Sequence, residues 1–490
     1  MQHFPDLISI MKRVLYILCL LAMLTPAGFA AYNRWFAEHE VVILSTNDIH
    51  SQLNNFPRLA TAVKECRDTV ECILVDAGDR WTGSAFVDLA PEPRKPIIDL
   101  MNELGYDVAT FGNHEFDGGR EFLRDMMKNY RFKIVCANIR GTEEGLFPEV
   151  APYTVKSVGG LKIGFAGVVT NFQNGHPEGN DSGFVGLEFP DAFDAAGKAA
   201  KSMKPKCDVS VIISHLGCKF DTVLLNRVTD FDVMISGHTH LLLDGEVNGT
   251  IVGQTKKGLY ALGVTTIKAR GKKILSIDYR NVLLEDYPLD PKFQAMVEEI
   301  KADPYLNEKI GYNTSELDKV GLADMHTSLI KRATDSDLSF YHFGGIRLSE
   351  LPADSVSRAT LIDSDIFISH VYTMTMTPAQ MRNMILTKYN DAGNINESHR
   401  LDLFSTEPYT IVTDREDNAV NVVFPTLQEG QKYKVAICSY VVENYKGIEA
   451  EDVVYHAEPT VPEIFLDYFA NNSPVSFSNV PKQNVVKREW

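Results

Sequence analysis

Five short runs rich in valine and isoleucine each end in a residue that binds metals or moves protons. That pattern restricts the fold more than any other feature of the chain. VVILST runs into Asn47-Asp48-Ile49-His50, ILVDA into Gly78-Asp79, and YDVAT into Gly112-Asn113-His114. VIIS ends at His215, and FDVMIS runs into Gly237-His238-Thr239-His240. Short apolar runs separated by helical stretches predict an α/β domain. In such sheets the carboxyl ends of the strands are where sites are built. A lone histidine there is ordinarily a satisfied surface residue, but five strand ends carrying ligand types together predict a site.

The spacing narrows the chemistry. On an extended segment, residues two apart point to the same side, so Asp48 and His50 are expected to reach one ion together, and so are His238 and His240. Gly78, Gly112 and Gly237 are expected to let the backbone turn sharply just before the ligands. Four imidazoles (His50, His215, His238, His240), two carboxylates (Asp48, Asp79) and the Asn113 amide suit borderline divalent ions such as Zn or Mn, not a calcium cage. This set is too large for one tetrahedral ion. It fits two ions sharing a carboxylate, held ~3.5–4 Å apart as in displacement at phosphorus. With neutral imidazoles the loaded site carries a formal charge of about +2, enough to hold a phosphate. The chain as a whole has a formal net charge of −17, which argues against nucleic acid as a partner.

The alternating pattern extends from Val41 to about Asn281, closing with GTIVGQ, GLYALGVTTI and KILSIDYR, which crowd together and are expected to be antiparallel. Residues 38–286 read as the catalytic domain. Residues 287–320, punctuated by Pro288, Pro291 and Pro304 around the charged helix PKFQAMVEEIKA, read as a linker. Residues 321–490 mix helices and strands and read as a second, α+β domain.

In their order, TNDIHS, VDAGDRWTGSA, FGNHEFD, SHLG and SGHTH resemble the blocks of the 5′-nucleotidase branch of the calcineurin-like metallophosphoesterases. The resemblance spans residues 31–490 and is sharp from Val41 to His240. It implies a β-sandwich flanked by helices, followed by a substrate-binding domain. It also implies two metal sets: Asp48, His50, Asp79 and His240 for one ion, and Asp79, Asn113, His215 and His238 for the other, with Asp79 bridging. His114 is then free to donate to a phosphoryl oxygen or the leaving group, oriented by Asp117. Glu115 is left as a structural acceptor. Ser51 stands where the family has glycine.

In the second domain the family's Asn-x-Gly-Gly-Ile-Arg element appears as His342-Phe343-Gly344-Gly345-Ile346-Arg347, making Arg347 a phosphate ligand. Tyr440 matches one aromatic of a base-stacking pair, with its partner expected near Leu403-Phe404. The Pro-Phe-x-Asn block is missing at Ile366-Phe367-Ile368-Ser369. The resemblance therefore implies a phosphoester hydrolase, with nucleoside 5′-monophosphates as leading substrates. Nucleotide-sugars, cyclic nucleotides and non-nucleotide phosphoesters are alternatives, as is a metal-containing binding protein without turnover.

Lys12-Arg13 precede VLYILCLLAML, and small residues follow up to Ala30, so residues 1–30 read as an export signal. Cys19 lacks the small preceding residues of a lipidation site. No later segment is apolar enough to span a membrane, so the mature chain is expected outside the cytoplasm without an anchor. Export permits disulfides, and the short polar loop RDTVE between Cys66 and Cys72 predicts a bond between them.

Overall fold

The computed structural model describes residue 12 and residues 38–488, apart from residues 143–146, 148, 173 and 392–399. The expected signal segment lies outside the described residues except for residue 12. Among the described residues no helix is long and apolar enough to cross a membrane.

The first domain is a pair of six-stranded sheets. One is built from β1 (Glu38–Thr46), β2 (Glu71–Asp76), β3 (Val108–Ala109) and β4 (Lys133–Ile134). Two short strands, β5 (Arg140–Gly141) and β8 (Leu187–Glu188), form a separate ribbon. The other sheet takes β6 (Tyr153–Val158), β7 (Leu161–Val169), β9 (Val209–His215), β10 (Val233–Ser236), β11 (Leu242–Val247) and β12 (Thr250–Thr255). Strands β13 (Ala261–Arg270) and β14 (Lys273–Leu283) return to the first sheet, in the order β14-β13-β1-β2-β3-β4. The second sheet runs β11-β12-β10-β9-β7-β6.

Alternation along the strands explains the layers. Val41, Ile43, Ile73, Val75 and Val108 of the first sheet meet Ile163, Phe165, Val211, Ile213 and Ile235 of the second in one apolar core. The intervening residues Val42, Leu44 and Leu74 face the other way, against the helices Phe56–Thr69 and Lys95–Leu104. Ile212 and Met234 likewise pack under the helices Ala192–Met203 and Cys218–Arg227. Strands buried on both faces read as continuous apolar runs, which is why the sequence marks them so clearly. Each such side chain contributes ~1.5–3 kcal/mol on burial.

The edge strands β6 and β11 are apolar at only half their positions, with no continuous run, and escape a reading by hydrophobicity. Missing β11 has a consequence. β11 and β12 form an antiparallel hairpin, so β12 runs parallel to β10, where the sequence suggested an antiparallel strand. β13 and β14 are antiparallel, as expected.

The helix Pro291–Ile300 packs back on the first domain, its Phe293 ring stacked on Phe56 at 6.2 Å. The strand Lys309–Tyr312 already pairs with Ser355–Ser357. The second domain centres on a five-stranded sheet in the order Leu403–Ser405, Leu338–His342, Tyr433–Cys438, Val371–Met376, Glu451–His456. The helices Lys319–Thr334 and Val461–Asn472 cover it. The two domains meet through Ala85, Leu306, Ala359, Ile362 and Ile366, and the Ala85 amide donates to Asp363 at 2.5 Å.

The expected disulfide is not formed. Cys66, near the end of the helix before β2, and Cys72, in β2, are both free thiols.

Candidate metal centre and substrate cavity

The strand ends converge. β1, β2 and β3 deliver Asp48, His50, Asp79 and Asn113 from one sheet, and β9 and β10 deliver His215, His238 and His240 from the other. His50 Nε2 lies 3.0 Å from His240 Nε2, and His240 Nε2 lies 3.4 Å from Asp48 Oδ1. His50 Nε2 is 3.8 Å from Asp79 Oδ2. On the other side, His215 Nε2 is 3.2 Å from Asp79 Oδ2, and His238 Nδ1 is 3.2 Å from Asn113 Oδ1. The His215 and His238 rings are 5.2 Å apart. Asp79 touches both groups.

The donor set fits cations. His215 Nδ1–H donates to the Ala77 carbonyl at 2.6 Å, which leaves Nε2 bare, buried and without a hydrogen-bond partner among the described residues. A bare Nε2 facing a carboxylate oxygen at 3.2 Å sets lone pair against lone pair unless positive charge sits between them. With no ion between them a proton supplies that charge: burial opposes it, but Asp79 and Asp48 outweigh burial and carry His215 up to about 10, and a bound cation takes the place of this proton. Burial would raise Asp79 too, yet His215 and His114 hold it well below the usual carboxylate range. Ligand atoms bound ~2.1 Å from a shared ion lie ~3–3.5 Å apart, which the shortest of these contacts match.

The local backbone corrects one expectation. The Asp-x-His and His-x-His pairs do converge, but not on extended chain. Asp48, His50, Asp79, His238 and His240 have φ of 48°, 47°, 57°, 76° and 54°, all left-handed. Such conformations cost ~1–2 kcal/mol per non-glycine residue and cluster at functional sites. Ser51, at φ 56°, shares the strain and ties its hydroxyl to Asp88 at 3.2 Å. Of the three glycines only Gly78 turns left-handed, at φ 96°. Gly112 serves close approach instead, since a Cβ there would meet Asp79 Oδ1 at 2.2 Å.

Glu115 holds the Asp79 loop in place. It is buried and accepts the amides of Asp79 and Arg80 at 2.9 Å each, and that of Gly112 at 2.5 Å. Its charge is matched by the buried Arg80 at 3.1 Å. His114 turns its ring toward the ligand set, its centroid 5.3 Å from that of His50. Its Nδ1 meets Asp117 Oδ2 at 2.9 Å, and Thr82 donates to the same oxygen at 2.6 Å. Burial lowers the His114 pKa, but Asp117 and Asp79 prevail and raise it.

The site opens into a cavity of about 580 Å³ bounded by both domains. Arg347 reaches in from the second domain, with Nη2 2.8 Å from His50 Nδ1 and donating to the Thr82 carbonyl at 3.2 Å. Phe367 lies against His114, with ring centres 5.7 Å apart. Tyr440 lines the far end, its ring stacked on His342 at 4.7 Å. Phe404, near which its partner was expected, stacks on Phe343 at 5.9 Å.

Three wall residues escape a reading by motif. Glu178 lies 3.8 Å from His238 Nε2, and Lys257 and Lys319 line the cavity. The Lys256-Lys257 doublet directly after β12, at the same sheet edge as the ligands, is the one local signal that pointed there.

Residues 41–242 match the model of the calcineurin-like phosphoesterases, and residues 299–452 that of the 5′-nucleotidase C-terminal domain. The chain is 27% identical to the trifunctional nucleotide phosphoesterase protein YfkN of Bacillus subtilis, over 71% of this chain and 27% of that protein. It is 30% identical to the 5′-nucleotidase of Rattus norvegicus, over 42% of this chain and 38% of the relative. The chain thus spans well under half the length of these curated relatives. Its fold is similar to that of a 5′-nucleotidase precursor from Thermus thermophilus, with TM-score 0.79 and 19% identity over 91% of this chain and 99% of that one. It is also similar to the sulfate thiohydrolase SoxB of a Thermus species, with TM-score 0.74 and 16% identity over 91% of this chain and 97% of that one. At these identities the structural likeness concerns the fold alone.

Proposed function

The chain belongs to the calcineurin-like phosphoesterases that carry a 5′-nucleotidase C-terminal domain, and we propose that it is an exported two-metal phosphohydrolase cleaving nucleoside 5′-monophosphates to nucleoside and phosphate. One observation carries the reading. Five strand ends converge on Asp79, leave the buried His215 Nε2 facing its carboxylate, and are met from the second domain by Arg347.

In this proposal Asp48, His50, Asp79 and His240 hold one ion, and Asp79, Asn113, His215 and His238 the other. Two divalent ions, zinc or manganese by donor type, supply Lewis-acid stabilisation of phosphoryl charge and lower the pKa of the attacking water. The protein's own groups do the rest. His114, held by Asp117, donates to a phosphoryl oxygen or the leaving oxygen as charge develops. Arg347 supplies a fork of donors to the phosphoryl group from beside His50. Glu115 keeps the Asp79 loop rigid, so the phosphorus meets its attacker in one geometry.

The apolar run after Lys12-Arg13 supports export, and N-terminal sequencing of the secreted protein reads whether cleavage follows Ala30. Turnover of a small aryl phosphate with Mn²⁺ or Zn²⁺ tests the reaction class. A panel of AMP, GMP, CMP, UMP and ribose 5-phosphate tests the substrate. Wild type is expected to hydrolyse all five with weak discrimination among the bases, because His342 fills one face of Tyr440. Arg347→Ala is expected to lose far more kcat/KM on the nucleotides than on the aryl phosphate. An enzyme that leaves the aryl phosphate and all five substrates untouched is not a phosphomonoesterase.

A further inference from the structure

A buried carboxylate outside the ligand set ties together the two strands that carry its histidines. β9 and β10 are parallel neighbours in which Ser214 and Ser236 are register partners. Ser214 donates its hydroxyl to Asp221 Oδ1 and Ser236 to Asp221 Oδ2, each at 2.5 Å. Asp221 belongs to the helix Cys218–Arg227, which connects the same two strands. Hydroxyl-to-carboxylate bonds of this length are charge-assisted and strong. His215 follows Ser214 directly, and His238 stands two residues after Ser236.

Gln254, on β12, extends the brace. Its amide nitrogen donates to Ser236 Oγ at 2.8 Å and to the Gly237 carbonyl at 3.0 Å. Its amide oxygen accepts the Thr239 hydroxyl at 3.2 Å and the Leu241 amide at 2.6 Å. Both N–H groups and both lone pairs of Gln254 are therefore used. They grip the turn from Gly237 to Leu241, which carries His238 and His240.

Ser214, Ser236, Asp221 and Gln254 are all buried. Among the described residues Asp221 forms no salt bridge with a lysine or arginine. A carboxylate buried without a cation is costly, and an apolar residue would pack the helix on the sheet at lower cost. Helix packing alone therefore does not explain Asp221. A fully satisfied polar network rigidifies what it holds, and here it holds the chain beside the ligands.

From this we infer that Asp221 is a positioning residue for the metal centre. It fixes His215 relative to His238, and so sets the affinity for the ion placed with Asp79 and Asn113. Gln254 fixes the turn that bears both His238 and His240, and so serves both ions. The inference rests on the two-metal reading above.

Calorimetric titration of the metal-stripped full chain with Mn²⁺ reads both ions without turnover. Wild type is expected to take up two. Asp221→Ala should weaken one ion ~10–100-fold, the range for losing the outer partner of a ligand, and leave the other within about threefold. Gln254→Ala should weaken both. Two backgrounds identify the affected ion. Added to His50→Ala, Asp221→Ala should still weaken the ion that remains; added to His215→Ala, it should leave the remaining ion unchanged. Ser214→Ala deletes a single oxygen of the brace and should act in the same direction as Asp221→Ala, even if the latter does not fold. Asp221→Asn, which still accepts from one serine, should retain part of the affinity. Equal weakening of both ions by a folded Asp221→Ala or Ser214→Ala overturns the inference. So does a loss of denaturant stability in the metal-free variant with both affinities intact, which is the result for a merely structural carboxylate. A wild type that takes up one ion defeats the two-metal reading and this inference with it.

Discussion

Asp117 Oδ2 lies 2.9 Å from His114 Nδ1 and takes the Thr82 hydroxyl at 2.6 Å, so the imidazole is held from behind with its other nitrogen left for the reaction. His114→Ala is expected to keep the fold and both ions while kcat falls by ~10²–10⁴. Metal analysis beside steady-state kinetics checks it. Because His114 also has a ring nitrogen within 4.8 Å of ligand atoms on His50 and Asp79, loss of an ion in the variant reassigns His114 as a ligand.

Asp79 belongs to both clusters of ligand atoms, at 3.8 Å from His50 Nε2 and 3.2 Å from His215 Nε2. Asp79→Ala should therefore lose most bound metal and all turnover. Wild type should carry two ions per chain by elemental analysis. One ion per chain, or an active variant, removes the bridge.

Glu115 is expected to matter for stability as much as for rate. Glu115→Ala strands three backbone amides and takes from the buried Arg80 one of its two carboxylate partners, leaving Asp76 at 3.4 Å. Breaking a buried pair from one side costs ~3–5 kcal/mol. Denaturant unfolding should read that loss, and a cost below ~1 kcal/mol would mean the loop is held by other contacts.

A pH dependence follows from Asp365. It is fully buried, accepts Ser369 Oγ at 3.0 Å, and burial pushes its carboxyl up to about 7 from 3.8. A carboxyl raised by folding binds its proton more tightly folded than unfolded. Its contribution to stability is complete below the unfolded value, declines as pH climbs between the two values, and is gone above about 7. Melting temperatures at about pH 5 and about pH 8 should fall less between the two in Asp365→Asn than in wild type. An identical fall in both proteins excludes this role.

The catalytic half of this chain was legible in the sequence because its information is local. Val41 to Leu44 and Ile73 to Val75 announce strands buried on both faces, and the residues that follow each strand are ligand types by composition alone. Parallel strands carry their ends to one edge, so Asp48, Asp79, Asn113, His215 and His238 had to be neighbours once the sheets formed. Tertiary structure decided how they meet. The left-handed turns at Asp48, His50, His238 and His240 are imposed by packing, since the region is uncommon even for aspartate and histidine, which enter it more often than most residues. It also decided that β12 runs parallel to β10 and that His342 covers one face of Tyr440. The contact between Arg347 and His50, 297 positions apart, has no periodic signature. Such contacts depend on how two separately cored domains dock, and docking is set by shape and charge over whole surfaces rather than by any short stretch of chain.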